Sequence, residues 1–350
     1  MGVSRTQRFE KIFAKFTSSK QINESVLLIE NTSGDLSFNM GYGGKNIDSP
    51  LLMASITKLF TTTCILILLE QGKLSLDEKI TRYFDNSVIS GLHVYGGKEY
   101  TFELTISDLL FQISGLPDVY EEGKNSLKNR AIKEDLYLTF DELMAEVKKL
   151  KPHFAPRTGQ RAYYADINFD LLGEVIEKAS NLRLSEAYRQ YIFEPLELKN
   201  TYLPESENYY IPNIYYKNKA IHRPKLVLSS RASGGCITTA SELMIFIKAF
   251  FGGKLFNKAI FQKLSTYRKL QVTMGPIYYG GGYMQIPLNG LATLFMGKGE
   301  LIGHSGSTGS FAFYYPLKDL FLVGDVNQMA NAALPIRLAM RLAMVAKTLD

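Results

Sequence analysis

The residues that first suggest chemistry are a hydroxyl and an amine three positions apart. Ser55 and Lys58 stand in the run Leu51-Leu52-Met53-Ala54-Ser55-Ile56-Thr57-Lys58-Leu59-Phe60, which continues through Thr61-Thr62-Thr63-Cys64-Ile65-Leu66-Ile67-Leu68-Leu69. Pro50 ahead of the run and Gly72 behind it are helix punctuation. Almost every position between them is apolar, so a central helix with no wet face is expected. Residues three apart share one side of a helix. Burial next to a helix N-terminus disfavours an ammonium, and a neutral amine beside a Ser hydroxyl can take its proton. The pair reads as nucleophile and base, although S-x-x-K arises about once by chance in a chain of this length.

Serine acylation also needs an acid for the leaving group and donors for the oxyanion. Two other clusters offer them. Pro156-Arg157-Thr158-Gly159-Gln160-Arg161-Ala162-Tyr163-Tyr164-Ala165-Asp166 contains Tyr164, whose phenol can shuttle a proton if it lies between the Ser hydroxyl and the departing atom. Gly303-His304-Ser305-Gly306-Ser307-Thr308-Gly309 has small residues that let a substrate backbone approach a strand edge and leave N–H groups free. Taken singly, the first is also consistent with a packed Tyr and the second with a Gly-rich β-turn.

The elements that must position these clusters come from both ends of the chain. Arg8 to Lys20, with Phe9, Ile12, Phe13 and Phe16 at helical spacing, reads as an amphipathic surface helix. Val26–Glu30 and Leu36–Met40, joined by Asn31-Thr32-Ser33-Gly34-Asp35, read as a β-hairpin. Capping patterns at Thr105-Asp108 and Thr139-Glu142, and Thr239-Ala240-Ser241-Glu242, open helices in the middle, as does the apolar spacing of Asn168–Ala179. Glu121–Asp135 reads as a charged surface loop overhanging the site. Strands return at Tyr279–Met284, Leu301–His304, Phe311–Tyr315 and Leu320–Val323, followed by a helix over Ala333–Leu349.

The fold class expected is therefore α+β: an antiparallel sheet built from both termini, flanked by terminal helices, with an inserted helical lobe and the site at the seam. We read one domain over 1–350 in two lobes, with 1–70 and 270–350 forming the sheet lobe and 71–269 the mainly helical one.

Composition narrows the function classes. At 350 residues and 46% hydrophobic, the chain can bury a large core. The net charge of +6 is spread among acidic residues without a dense run, so nucleic-acid binding is not expected. Cys64 and Cys236 form no disulfide framework, and His93, His153, His222 and His304 lack ligand spacing, so metal chemistry is not expected. Met1-Gly2-Val3-Ser4-Arg5-Thr6 fits a bare myristoylation pattern better explained as a start. No secretion signal and no transmembrane segment are visible, leaving a cytoplasmic protein or an exported one whose signal has been trimmed. Oligomeric state is left open.

The clusters, taken in order, resemble the serine β-lactamase and penicillin-recognising family, in particular its class C β-lactamase, D,D-carboxypeptidase and family VIII-type carboxylesterase branch. Ala54-Ser55-Ile56-Thr57-Lys58-Leu59 is followed by Leu109-Leu110 with Ser114-Gly115-Leu116-Pro117. Then come Pro156 to Gly173 with Tyr164-Ala165-Asp166, Phe193-Glu194-Pro195-Leu196, Ser233-Gly234-Gly235 with Thr239-Ala240, and Gly303-His304-Ser305-Gly306. The resemblance covers about residues 25 to 327.

It implies that Ser55 is acylated, that Lys58 and Tyr164 form the proton relay, that the N–H groups of Ser55 and Ser307 make the oxyanion hole, and that no metal or cofactor takes part. Asp166, His304, Ser305 and Gly306 are implied in substrate binding. Two departures carry meaning. Asp166 replaces the Asn common two places after the Tyr, supplying a carboxylate for Lys58 or for a substrate amine. His304 replaces the Lys of the usual Lys-Thr-Gly, and a neutral His holds a β-lactam carboxylate less firmly.

The function implied is a serine hydrolase of a small amide, D-amino-acid peptide or ester; a class C-type β-lactamase or D,D-carboxypeptidase is the alternative. A Ser-His-Asp hydrolase is disfavoured because Gly303-His304-Ser305-Gly306-Ser307 lacks the final Gly of a nucleophile elbow. Gly297-Lys298-Gly299 is no dinucleotide fingerprint. A non-catalytic scaffold or binding module keeping the fold is the rival from another class.

Overall fold

The computed structural model describes residues 5–290 and 293–347. Met1–Ser4 of the myristoylation-like pattern and Thr348–Leu349 of the expected last helix lie outside the described residues.

Eight strands form one antiparallel sheet: β1 Ser25–Glu30, β2 Ser37–Tyr42, β3 Arg268–Lys269, β4 Tyr278–Tyr279, β5 Met284–Pro287, β6 Glu300–Ser305, β7 Ser310–Tyr315 and β8 Leu320–Asp325. Their order is β2-β1-β8-β7-β6-β5-β4-β3, so the first hairpin joins the last strand directly, with Leu28 opposite Val323. Five helices position the site or cover the sheet: α1 Arg5–Thr17, α2 Thr57–Glu70, α3 Ile167–Ser180, α4 Ala240–Gly252 and α5 Leu334–Lys347.

Register assigns the layers. Glu30, Phe321 and Tyr314 are paired across neighbouring strands and therefore share a face. Lys248 of α4 pairs with Glu30, and Phe251 packs on Tyr314. Phe38, one residue on from Glu30's partner Ser37, points the other way and meets Phe9 of α1. The terminal helices α1 and α5 thus cover one face and α4 the other. The sheet takes in Arg268–Lys269, and α4 lies on it; both fall within the 71–269 segment.

Three elements differ from the sequence expectation. Leu51–Leu52 is not helical: it pairs with Ile237–Thr238, and the Met53 N–H donates to the Cys236 carbonyl at 2.9 Å. These contacts keep the chain extended to Met53. A 3₁₀ turn over Ala54–Ile56 follows, and α2 starts only at Thr57. Ala54 sits at φ 45°, a left-handed conformation that a residue with a Cβ adopts under strain. Tyr279–Met284, read as one strand, is a hairpin turn. Gly282 makes the bend at φ 91°, where a Cβ would collide with Thr62 of α2. Within the charged 121–135 loop, Ser126 caps a short helix, Leu127–Lys133.

The capping boxes at Thr105 and Thr139 form, and Thr239 accepts from the Glu242 N–H. Among the described residues no helix is long and apolar enough to cross a membrane, and no group of three or more His, Cys, Asp or Glu is placed to hold a metal.

Candidate active site

Ser55 lies on the 3₁₀ turn and is half-buried, facing a pocket of about 500 Å³ whose lining includes Tyr164, Asp166, Ser305, Gly306 and Ser307. Lys58, in the first turn of α2, has no exposure. Its Nζ donates to Ser55 Oγ at 3.2 Å, to Asp166 Oδ1 at 2.6 Å and to the Ser233 carbonyl at 2.7 Å. Three acceptors around one nitrogen are the pattern of an ammonium with its three donors. Desolvation is offset by an ion pair and two hydrogen bonds rather than by loss of the proton. The burial argument placed only apolar surroundings around this amine, whereas the structure sets the Asp166 carboxylate and two further oxygens against it.

Tyr164 enters from the segment before α3. Its ring stacks edge-on against Tyr279, with a centroid separation of 5.8 Å, and its centroid lies 5.1 Å from Lys58 Nζ. Burial and the Asp166 charge push its phenol up, opposed by the hydroxyl of Ser55. The Tyr164 Oη is buried and makes no well-directed hydrogen bond among the described residues. Ser55 is close enough to act on it but not aligned with it. A neutral phenol thus stands beside the hydroxyl with its hydrogen-bonding capacity uncommitted.

Asp166 occupies the N-cap position of α3 but caps nothing, since its carboxylate turns to Lys58. Two further acids sit near it. Asp170, one turn along α3, is raised to about 7 by burial and by the Asp166 charge. Asp118, from the loop after Pro117, is raised by burial and then by Asp166. The sequence reading singled out neither; the only signal was an Asp directly after Ser114-Gly115-Leu116-Pro117 in an otherwise apolar stretch.

The third cluster closes the other side. Gly306 at the end of β6 has no side chain because a Cβ there would meet Ser310 Oγ and the Met53 carbonyl. This close approach brings Ser307 to the pocket with Ser55. Among the described residues neither the Ser55 nor the Ser307 N–H is used in a turn or loop hydrogen bond, which leaves both available to a developing oxyanion.

His304 goes elsewhere. It has no exposure and does not line the pocket. Its Nδ1 sits 2.9 Å from the Ser305 carbonyl and its Nε2 3.5 Å from the Tyr279 hydroxyl. Burial, then the Lys58 charge, push its pKa down to about 3. Expected as a substrate contact, it is instead a neutral packing group behind Tyr164, because strand alternation turns it away from the face that Ser305 presents.

A wider groove of about 770 Å³ lies between Arg183 and Tyr209. It holds no paired nucleophile and base; Arg183 and Arg189 are bound to Glu186, Glu205 and Glu194.

A family model described as Beta-lactamase matches residues 31–347. Protein flp of Staphylococcus aureus (strain MW2) is 28% identical over 278 residues, covering 72% of this chain and 49% of that protein. The chain thus spans about half the length of this relative. The structure is similar to a D-stereospecific amidohydrolase from Streptomyces sp. (TM-score 0.75, 22% identity, 95% and 97% of the two chains). It is also similar to the D-amino acid amidase of Ochrobactrum anthropi SV3 (TM-score 0.77, 18% identity, 99% and 100%). With the family match running over most of the sequence and the same architecture across nearly the whole chain, this protein belongs to the Beta-lactamase family.

Proposed function

We propose that the protein hydrolyses a small amino-acid amide or D-amino-acid peptide through an acyl-enzyme on Ser55. The observation that carries this reading is the Lys58 Nζ contact to Ser55 Oγ on the floor of the 500 Å³ pocket. The Ser55 oxygen attacks the substrate carbonyl carbon. As the Oγ–H bond breaks, the proton passes to Tyr164 Oη, and the phenol's own proton passes to the leaving nitrogen as the C–N bond breaks. The phenol ends as neutral as it began, which suits a group whose burial opposes a phenolate. Lys58 holds Ser55 in place and stabilises charge on the shuttle; the Ser55 and Ser307 N–H groups receive the oxyanion. Water then repeats the sequence on the acyl-enzyme.

An amide is favoured over a β-lactam because the His304 position supplies no cation to the pocket. The structural neighbours, one named a D-stereospecific amidohydrolase and one a D-amino acid amidase, point the same way. A short ester is the second reading, favoured by the apolar wall of Met274, Ile277, Met284 and Ile336.

One purified sample assayed with D-phenylalanine amide, a D-alanyl-D-alanine peptide, p-nitrophenyl acetate and a chromogenic cephalosporin tests the choice. The amide or the peptide is expected to have the highest kcat/KM, with Ser55→Ala inactive. Faster turnover of the cephalosporin than of either would overturn it.

A further inference from the structure

Four carboxylates line the pocket that holds Ser55: Asp118, Glu121, Glu122 and Asp166. Three of them are engaged by side chains. Asp166 is bound to Lys58 at 2.6 Å and Glu121 to Lys128 at 2.8 Å. Glu122 accepts from the Tyr163 hydroxyl at 2.8 Å and lies 2.9 Å from His153 Nε2. Asp118 differs: it is 3% exposed, and no Lys, Arg or His lies within ion-pair distance among the described residues. The leading charges acting on it, Asp166 and Glu121, are both negative.

Among the described residues its carboxyl group is hydrogen-bonded at Oδ1, by the backbone N–H of Tyr120 at 3.1 Å and of Asp166 at 3.4 Å. Those two bonds shape the loop, yet an Asn oxygen would accept them equally well. A negative charge buried without a cation is unfavourable, and burial with the Asp166 charge pushes this carboxyl up, so the loop geometry accounts for the oxygen and not for an acid at this position. Beside this carboxyl lies the pocket that holds Ser55, which Tyr164 also lines.

We propose that Asp118 binds the ammonium of the substrate, a free amino group on the acyl side of the scissile bond, so that the ligand brings the cation this wall lacks. This rests on the amino-acid amide reading and adds the requirement that the amine be unblocked. Asp166, the carboxylate first expected to meet such an amine, has its Oδ1 committed to Lys58. Asp118 thus acts as a specificity-determining residue, and an N-acylated substrate would offer it no cation.

Binding to the Ser55→Ala protein, measured by calorimetry with D-phenylalanine amide and with its N-acetyl derivative, separates recognition from turnover. The unblocked amide is expected to bind on the order of 10²-fold more tightly, the size seen when one partner of a buried charge pair is removed. Adding Asp118→Asn, which keeps the Oδ1 acceptor, should bring the two Kd values within about threefold of each other. Asp118→Glu should restore part of the preference. Equal Kd values in Ser55→Ala itself, or a preference that survives Asp118→Asn, would overturn the proposal. The first of these outcomes needs no second variant to fold. If the Ser55→Ala protein shows the preference but the wild-type protein cleaves neither amide, the amidase reading fails while the ammonium site stands.

Discussion

Lys58 and His304 are two buried bases set close together, and burial has opposite outcomes for them. Neither has any exposure. Lys58 has three oxygens around its nitrogen, one of them a carboxylate 2.6 Å away, and is held as an ion pair. His304 has one carbonyl and a phenol, with the Lys58 charge opposing its protonation, and stays neutral. Acceptors, not depth, decide which buried base carries charge. Lys58 touches Ser55, and His304 fills the wall behind the Tyr164 ring.

Replacing each base should therefore give unequal losses. The largest is expected for Lys58→Met, which keeps the apolar stem but leaves Ser55 unanchored. Acylation should fall by about 10³-fold, within the range for a positioned proton-transfer group, read as single-turnover kinetics. Tyr164→Phe preserves the stack on Tyr279 and removes only the shuttle, so about 10²-fold is expected in the same assay. Asp166→Asn keeps an acceptor for Lys58 but removes the charge; a loss of about tenfold that retains the free-amine preference assigned to Asp118 would fit its role as a positioning residue. His304→Asn should change kcat/KM by less than about threefold and leave the pH–rate profile unmoved, since the ring touches no substrate.

The smallest effect sharpens the contrast through stability. The His304 pKa lies at about 3 in the folded chain, below the unfolded value of about 6.5. Between these values the unfolded state binds more protons, so the contribution of neutral His304 is complete above about pH 6.5 and is lost as pH falls toward 3. Urea midpoints of the native chain should therefore drop more between pH 7 and pH 5 than those of His304→Asn. His93, also buried and pushed down by burial, adds a parallel contribution that the His304 variant retains.

Local signals were legible in the sequence and distant ones were not. The Ser55–Lys58 spacing and the caps at Thr105, Thr139 and Thr239 could be read because each depends on residues within a turn or two, whereas Tyr164 was assigned its role through the family resemblance. The β-sheet from both termini was readable because strand periodicity survives any pairing. The Ser233 carbonyl on Lys58 was not, because it lies 175 residues away, whereas the Asp166 carboxylate was offered as a partner through the family resemblance. For the same reason the helix start was placed too early: the strand that keeps Leu51–Leu52 extended comes from Ile237–Thr238. His304 could be placed in the right segment but not on the right face. Asp118 carried no periodic or spacing signal, and its importance appears only when the other three pocket acids are seen to be engaged.

The central claim is that Ser55 is the atom acylated. Incubation with a fluorophosphonate probe, followed by proteolysis and peptide mass spectrometry, measures this directly. Expected is one stoichiometric adduct on Ser55, slowed in Lys58→Met and absent in Ser55→Ala. An adduct on another residue, or unchanged labelling of Ser55→Ala, would contradict it.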